Sequence, residues 1–199
     1  HIPNLRTAME ELNAETDHSK ITYEEFERCF YDEDPEIFAM SEMEVHQYRR
    51  QLDVRVSGED PPRPVTTFEQ CGFSKEILKD IAKHGYSKPT PIQAQALPAA
   101  LLGRDMIGIA KTGSGKTAAF MLPMIVHCLD QRELEEKEGP IGVVLGPTRE
   151  LTQQIYTEAK KLSKASGLRV VGLYGGASKN DQRLELLKGA EIAIASPGR

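Results

Sequence analysis

The chain has 199 residues, of which 39% are hydrophobic and 28% are charged. This is enough apolar material for one good-sized domain with an extension, so global disorder is excluded. No apolar run approaches the ~18 residues of a membrane span, and the three widely spaced cysteines match no disulfide or metal framework. Such cysteine usage favours a reducing compartment.

The net charge of −5 is unevenly distributed along the chain. Residues 1–60 carry 16 acidic and 6 basic side chains, whereas residues 61–199 carry 14 acidic and 19 basic ones. A basic body suits a polyanionic partner, although a net charge of +5 carries little weight alone. The acidic part is unsuited to lie on nucleic acid.

The N-terminal segment, residues 1–64, is called the leader below. Aromatic and charged residues alternate over residues 17–31. Ser41 and Glu44 have the spacing of a capping box and predict a short helix that ends near Leu52. A proline-rich run over 61–64 then indicates a linker. We expect a partly extended, partly ordered leader held on the body or on a partner by its aromatic residues; a solvated tail is the alternative.

From Phe68 onward, helical and strand patterns alternate. Helices are predicted at 74–83, 90–102, 116–131, 149–166 and 178–188. Continuous apolar runs predict strands at 105–110, 141–146, 169–174 and 191–195. This alternation predicts an α/β fold, a parallel sheet with helices on both faces. In such a fold, ligands bind beyond the carboxyl ends of the strands.

A phosphate cradle is predicted where the first apolar run meets a glycine-containing loop and a helix. Gly113 and Gly115 let successive N–H groups point into one concavity, and the helix adds its N-terminal dipole. Lys116 would reach the β- and γ-phosphates, and the Thr117 hydroxyl would ligate Mg²⁺. The usual pattern begins with glycine where this chain has Ala110. A chance Gly-Ser-Gly turn before a helix is the alternative.

These segments together resemble the first RecA-like domain of the DEAD-box RNA helicases, over residues 68–199. The stretch GYSKPTPIQ at 85–93 resembles the family's Q motif, and Phe68 lies 17 residues before it, as in that family. AKTGSGKT at 110–117 is the family's own variant of the phosphate loop, which accounts for Ala110. PTREL, GG and SPGR resemble its RNA-contacting motifs, the last with Ser196 where threonine is common.

The resemblance implies an ATP-dependent RNA helicase with ATP and Mg²⁺ as cofactors. Phe68 would stack on adenine, worth ~1–3 kcal/mol, and Gln93 would read its N6/N7 edge. Gln93 also completes a capping box with Thr90, and an isolated phenylalanine is more often a core residue. Lys116 and Thr117 would be catalytic. The implied nucleotide-binding residues are Phe68, Lys88, Gln93, Ala110, Lys111, Thr112, Gly113, Ser114, Gly115, Lys116 and Thr117.

The RNA sugar-phosphate backbone would be held where three strands end, without reading of sequence. The implied RNA-binding residues are Pro147, Thr148, Arg149, Gly175, Gly176, Ser196, Pro197, Gly198 and Arg199. Thr148 and Arg149 open a helix, where N–H groups and a guanidinium bind phosphates, but simple capping by Thr148 is equally compatible. A plain turn is the alternative for the glycine pair, and Arg199 is open to fraying as the last residue.

The resemblance also implies the domain organisation. Residues 1–64 are expected to be an acidic extension with a linker, and residues 65–199 to be the first RecA-like domain, truncated before the Asp-Glu-Ala-Asp motif. We therefore expect the sheet to be incomplete at its C-terminus. Because the Mg²⁺-binding carboxylates and arginine fingers would come later, we also expect weak nucleotide binding and negligible hydrolysis by this chain alone.

Three stretches, 17–37, 55–73 and 84–99, resemble the pre-mRNA splicing members of the family, in particular those of prespliceosome assembly at the branch site. This implies nuclear localisation and a splicing factor as protein partner of the leader. A hypothesis of a different class is a catalytically inert RecA-like module that docks a splicing factor through its acidic leader. A GTPase is disfavoured because no Asn-Lys-x-Asp sequence occurs.

Overall fold

The computed structural model describes residues 17–199. Its helices are α1 Pro35–Phe38, α2 Glu42–Gln51, α3 Lys75–Lys83, α4 Pro91–Leu101, α5 Lys116–Asp130, α6 Arg149–Leu162 and α7 Lys179–Leu187, with single 3₁₀ turns at His18–Lys20 and Glu69–Cys71. Its strands are β1 Gly142–Leu145, β2 Val170–Leu173 and β3 Ile192–Ala195. None of the described helices has the length and apolarity to cross a membrane.

The three strands form one parallel sheet in the order β1-β3-β2. Ile192 of the central strand pairs with both Gly142 and Val170, so the strands begin in register. Ile192 and Ile194 on one face and Ala193 on the other are all buried, as a strand covered on both faces requires. Helices lie on both sides of the sheet, which confirms the predicted α/β architecture. The three carboxyl ends consequently meet at one edge, called the carboxyl edge below.

Helix α6 shows how the sequence produces this packing. Thr148 caps it by accepting a hydrogen bond from the Leu151 N–H, at 3.3 Å. Its buried side chains recur every three or four residues, so one face lies on β2, β3 and α5: Thr152, Ile155, Ala159 and Leu162. Helix α5, in turn, packs against α4, and the shared core is the largest apolar cluster of the described residues.

The prediction of a strand at 105–110 is wrong for this structure. These residues form no strand and have no hydrogen-bonded strand neighbour among residues 17–199. Ile107 and Ile109 are 92% and 91% exposed. An apolar run becomes a strand only when a neighbouring strand satisfies its N–H and C=O groups, and the sheet leaves this run unpaired.

The leader lies against the body over part of its length. The Phe30 N–H donates to the Leu101 carbonyl at 2.7 Å, and Tyr31 is buried in the main core. Ile37 of α1 and Val45 of α2 are also buried, whereas Phe26 is half exposed. The predicted helix that ends near residue 52 is α2. Residues 1–16 of the leader lie outside the described residues.

Arginine side chains fasten the end of the leader. Proline lacks an N–H, so a proline-rich run cannot pair as a strand does, and its carbonyls need other donors. Arg49 of α2 donates to the Pro62 carbonyl at 3.0 Å and to Gln95 Oε1 of α4 at 2.9 Å. Gln95 Nε2 also donates to the Pro62 carbonyl, at 2.8 Å, and Arg104 donates to the carbonyls of Glu59 and Asp60. The predicted linker is therefore held against α4.

Candidate nucleotide and RNA-binding site

The predicted phosphate loop connects the exposed run at 105–110 to α5. Gly113 and Gly115 have φ values of +76° and +87°, a conformation that favours glycine. Gly115 is the N-cap of α5 and supplies no side-chain cap, so the first N–H groups of the helix have no side-chain partner there. A helix start of this kind is suited to an anion.

The loop is folded in on itself. Lys116 Nζ donates to the Ala110 carbonyl and to the Lys111 carbonyl, the latter at 2.8 Å. Ser114 Oγ is buried and has no hydrogen-bond partner among residues 17–199. Lys116, an uncapped helix start and a free hydroxyl are the donors that a phosphate needs, so these residues fit the β- and γ-phosphates of ATP. The ammonium group must leave the carbonyls to reach a phosphate.

The implied Mg²⁺ would be held through the nucleotide. Thr117, the predicted ligand, lies in the first turn of α5, directly after Lys116. In the part of the chain that the structure describes, no group of three or more His, Cys, Asp or Glu side chains could hold a metal ion. One hydroxyl together with phosphate oxygens and water fits Mg²⁺, which usually keeps several waters.

The Q-motif residues contact the phosphate loop directly. Thr90 Oγ1 donates to the Ser114 carbonyl at 2.8 Å, and Gln93 Nε2 donates to the Gly115 carbonyl at 3.1 Å. Gln93 Oε1 accepts from the Thr90 N–H at 3.0 Å, so the capping alternative is also present. Gln93 is fully buried, and both ends of its amide are satisfied within the protein. To read adenine, this amide must exchange at least one partner.

The structure places Phe68 in the core and not on an open surface. Its ring is 3% exposed and belongs to the main apolar cluster. Gln70 shapes the turn around it, because Gln70 Oε1 accepts from the Thr66 and Thr67 N–H groups at 2.8 and 3.1 Å. Stacking on a base requires Phe68 to become more exposed than it is here. Lys88 is exposed.

The RNA-contact candidates come together at the carboxyl edge. A Cβ atom on Gly176, which has φ +82°, would collide with the Arg149 guanidinium, so the two motifs touch. Arg199 donates to the Ala177 carbonyl and to Gln182 Oε1, the latter at 3.0 Å. Neither arginine has a carboxylate within 4 Å among the described residues. This edge therefore presents the Arg149 guanidinium at the start of α6 and the Arg199 guanidinium beside Ala177 and beside Gln182 of α7.

The remaining candidates complete the same edge. The Ser196 N–H donates to the Leu173 carbonyl at 2.9 Å, which extends the β2–β3 pairing by one residue. Pro147, Thr148, Pro197 and Gly198 are exposed. Gly175 lies in the turn that follows β2, which agrees with the alternative that the glycine pair forms a plain turn.

Sequence reasoning missed two contacts of the Q motif. The sequence pattern predicts only a helix cap for Thr90, but in the structure its hydroxyl also donates to the Ser114 carbonyl of the phosphate loop. Tyr86 donates to Glu158 Oε1 of α6 at 2.8 Å, across 72 positions of sequence, and no local pattern signals such a pair. Burial and the Glu158 carboxylate raise the pKa of Tyr86 to about 12. The hydrogen bond anchors the start of the Q motif on α6.

Residues 90–199 match the protein family described as DEAD/DEAH box helicase. The chain is 62% identical over 183 residues to DEAD-box ATP-dependent RNA helicase 24 of Oryza sativa subsp. japonica, covering 92% of this chain and 24% of that protein. It is 53% identical over 199 residues to the Probable ATP-dependent RNA helicase DDX46 of Homo sapiens, covering 100% of this chain and 19% of that protein. The chain thus spans about a fifth to a quarter of these relatives' length.

Two solved structures share the fold. The RNA helicase Prp28 from Chaetomium thermophilum, bound to ADP, superposes with a TM-score of 0.75 at 40% identity, covering 85% of this chain and 41% of that one. The yeast DEAD-box splicing factor Prp28 gives 0.75 at 29% identity, covering 81% and 40%. With the family match over more than half of its residues, the chain belongs to the DEAD-box ATP-dependent RNA helicases.

Proposed function

We propose that this chain is the part of an ATP-dependent RNA helicase that binds ATP with Mg²⁺ and grips the RNA sugar-phosphate backbone. The nucleotide lies on residues 110–117, with Lys116 at the β- and γ-phosphates and Thr117 on Mg²⁺. Gln93 forms hydrogen bonds with the edge of adenine, Phe68 stacks on the base, and Lys88 lies at the rim of the nucleotide site. The RNA backbone lies on the carboxyl edge.

The observation that carries this proposal is the pair of hydrogen bonds from Thr90 and Gln93 to the loop carbonyls of Ser114 and Gly115. They bring a side chain able to read adenine within one residue of the phosphate-binding lysine. A nucleotide is the ligand that presents a base and a phosphate chain together, so one molecule engages both groups.

The role of the carboxyl edge rests on charge and shape. Arg149 and Arg199 offer forked donors that match phosphate oxygens, and the start of α6 adds its dipole. Gly176 lets the Arg149 guanidinium lie against the backbone. These groups bind phosphate and sugar but have no pattern that distinguishes bases, so the grip is independent of sequence.

We propose further that the helicase remodels RNA or RNA–protein complexes in pre-mRNA splicing, in the nucleus. Support comes from the likeness to Prp28, since the yeast protein is described as a DEAD-box splicing factor. The proposed division is an extension with linker over 1–64 and a first RecA-like domain over 65–199. The partner of the leader is a protein, because its acidic surface repels RNA.

The first experiment compares the affinities for ADP and GDP by calorimetry in the presence of Mg²⁺. We expect a preference for ADP that Phe68→Ala and Gln93→Ala each remove. Gln95→Ala is the matched control, because Gln95 lies on the same helix but contacts Arg49 and Pro62. Equal affinities for the two nucleotides in the unaltered chain would show that no adenine reader is formed.

A second candidate function follows from the closed state of the site. Gln93 is satisfied internally, Lys116 lies on loop carbonyls and Phe68 is buried. These features suit a catalytically inert module whose leader docks a splicing factor. If no nucleotide binds, this function replaces the first for the present chain.

A further inference from the structure

A basic cavity lies at the opposite edge of the sheet from the carboxyl edge. It has a volume of about 580 Å³ and is lined by residues at the start of β2 and just before β3, and by the last turns of α6 and α7. Its charged lining residues come from three segments of chain and are Lys160, Lys161, Lys164, Arg169, Lys188 and Glu185. The cavity is called the amino-edge pocket below.

The cations of the amino-edge pocket differ in how far they are neutralised. Arg169 is engaged by Glu191 at 2.9 Å, and Lys188 by Glu185 at 2.6 Å. Lys160, Lys161 and Lys164 have no carboxylate within 4 Å anywhere in residues 17–199. Lys160 lies instead over the Tyr156 ring, 5.4 Å from its centroid. Three positive charges are therefore not neutralised by a described carboxylate and can attract an anion.

A helix dipole alone does not explain this arrangement. Lysines in a last helical turn interact favourably with carbonyls there, and this accounts for Lys160 and Lys161. Lys164 lies beyond the end of α6, and the cavity is closed by the ends of a second helix and two strands. Concave geometry and like charge from several elements attract an anion more strongly than a flat surface does.

The chemistry favours a phosphodiester backbone over an acidic peptide. Arg169 has the one guanidinium in the lining that could bind a carboxylate through two hydrogen bonds, and it already binds Glu191 in this way. The free groups are lysines, which act as flexible point charges and suit phosphates at variable positions. Helix α6 joins the two edges: Arg149 opens it and Lys160 stands in its last turn, about 17 Å away at 1.5 Å per residue.

We propose that the amino-edge pocket is a second binding site for single-stranded RNA, which takes the backbone of a strand that continues beyond the carboxyl edge. This proposal rests on the proposed function, because it assumes that RNA lies on the carboxyl edge. The path along α6 passes Glu150 and Glu158, which line the groove beside Tyr86 and keep the strand off the middle of the helix. The lysines of the amino-edge pocket then bind the RNA strand again.

The test measures RNA affinity by fluorescence anisotropy as a function of salt. The ligands are oligouridylates of about 3 and about 24 nucleotides. The ~17 Å between the two edges corresponds to about five nucleotides at ~3.4 Å each, so the short RNA cannot reach both edges at once. The variant is Lys160→Gln/Lys161→Gln/Lys164→Gln. Its matched control is Lys75→Gln/Lys79→Gln/Lys83→Gln, which removes three exposed lysines from α3. Thermal unfolding verifies that both variants are folded.

For the long RNA, the pocket variant is expected to bind about tenfold more weakly at low salt. Its slope of log affinity against log salt should fall by about 2, at ~0.7 per phosphate contact. The short RNA should bind both variants like the unaltered chain. An unchanged long-RNA affinity and slope in the pocket variant overturns the proposal, as does a loss that the α3 variant shares.

The same data separate the two proposals. If only the long RNA binds, and the pocket variant abolishes its binding, the amino-edge pocket binds RNA by itself, and both the role of the carboxyl edge and the proposed continuous strand fail. If the short RNA binds and the pocket variant leaves the long RNA unaffected, the carboxyl edge stands and the pocket fails. If neither RNA binds the unaltered chain, both are refuted.

Discussion

The nucleotide site and the carboxyl edge are built from the same fold but in opposite states. In the nucleotide site, Gln93 donates to the Gly115 carbonyl and accepts from the Thr90 N–H, and Lys116 donates to the carbonyls of Ala110 and Lys111. At the carboxyl edge, Arg149 is exposed beside Gly176, and no carboxylate is within reach among the described residues. The first site must break internal hydrogen bonds to bind, whereas the second offers Arg149 without breaking an ion pair, although Arg199 donates to Ala177 and Gln182.

The difference has a cause in the sheet. The residues of the carboxyl edge follow three paired strands, and the register of these strands fixes the position of each motif. The phosphate loop follows an unpaired run, so its position depends on Thr90 and Gln93 of α4 instead. Side-chain hydrogen bonds each contribute only about 1 kcal/mol, so we expect the nucleotide site to respond more sharply to local change.

The largest effect is expected from Gly115→Ala. A Cβ there would lie 2.5 Å from Gln93 Nε2, a buried group, and φ is +87°. Displacing this amide and straining the backbone should lower the free energy of unfolding by about 2–4 kcal/mol. ADP affinity should fall at least about tenfold. Chemical denaturation and calorimetry measure the two quantities.

Gly113→Ala is the matched control for this change. Gly113 also has positive φ, at +76°, but no atom of the described residues lies within 4 Å of its Cβ position. Strain alone should then cost about 1–2 kcal/mol. If both variants lose the same stability and ADP affinity, the contact with Gln93 has no special role in holding the loop.

The next largest effect concerns the fastening of the leader. Arg49→Ala removes the donor that joins α2, Pro62 and Gln95, and should destabilise the chain by about 1–2 kcal/mol, somewhat below a fully buried charged hydrogen bond. Hydrogen exchange should show the amide of Val65 opening first. Arg50→Ala, exposed on the same helix, should have an effect within about 0.5 kcal/mol. Equal losses would mean that helix α2 alone is being perturbed.

Gly176→Ala should affect the carboxyl edge moderately. Its Cβ pushes away the flexible Arg149 guanidinium, so the cost in stability is mainly strain, about 1–2 kcal/mol. RNA affinity should fall several-fold because Arg149 no longer lies at the edge. Gly175→Ala, which meets nothing within 4 Å and has no positive φ, should bind RNA normally. An unimpaired Gly176→Ala would remove Arg149 from the RNA site.

The smallest effect is a pH dependence at the opposite ends of the strands. Burial raises the pKa of Glu191, but hydrogen bonds from the Arg169 side chain and N–H outweigh it, so the net shift is downward. The folded-state pKa is therefore below the ordinary 4.5. Its stabilisation is present above that value and is lost as pH falls through the folded pKa.

Denaturation midpoints at pH 7 and at about pH 3, below the ordinary pKa of 4.5, measure this loss. Glu191→Gln should show a smaller difference between the two pH values than the unaltered chain. If both chains change equally, other carboxylates are responsible. A changed RNA affinity at the carboxyl edge in this variant would show that the two edges are not independent.

Much of the fold follows from local pattern. The helices, the three paired strands and the capping of α6 by Thr148 each rest on periodicity and cap chemistry within one element. The run at 105–110 has the same apolar character, yet it is not a strand. Whether an apolar run forms a strand depends on a second segment that pairs with it, so the sequence of the run alone does not predict the strand.

The site divides in the same way. The phosphate loop and the motifs at the carboxyl edge are contiguous stretches, so the sequence identifies them. The burial of Phe68, the contact of Thr90 with Ser114 and the bond from Tyr86 to Glu158 join distant positions. These depend on how α4 and α6 pack, which no local pattern encodes.

The exposed run at 105–110 has a practical consequence for work with this chain in solution. Ile107 and Ile109 expose apolar side chains on a backbone that has no strand partner among residues 17–199, and strand β1, paired with β3, has one edge without a partner in that range. Unpaired edges of this kind recruit strands from other molecules. Light scattering should therefore show particle size rising with protein concentration, and affinities are best measured where dilution no longer changes that size.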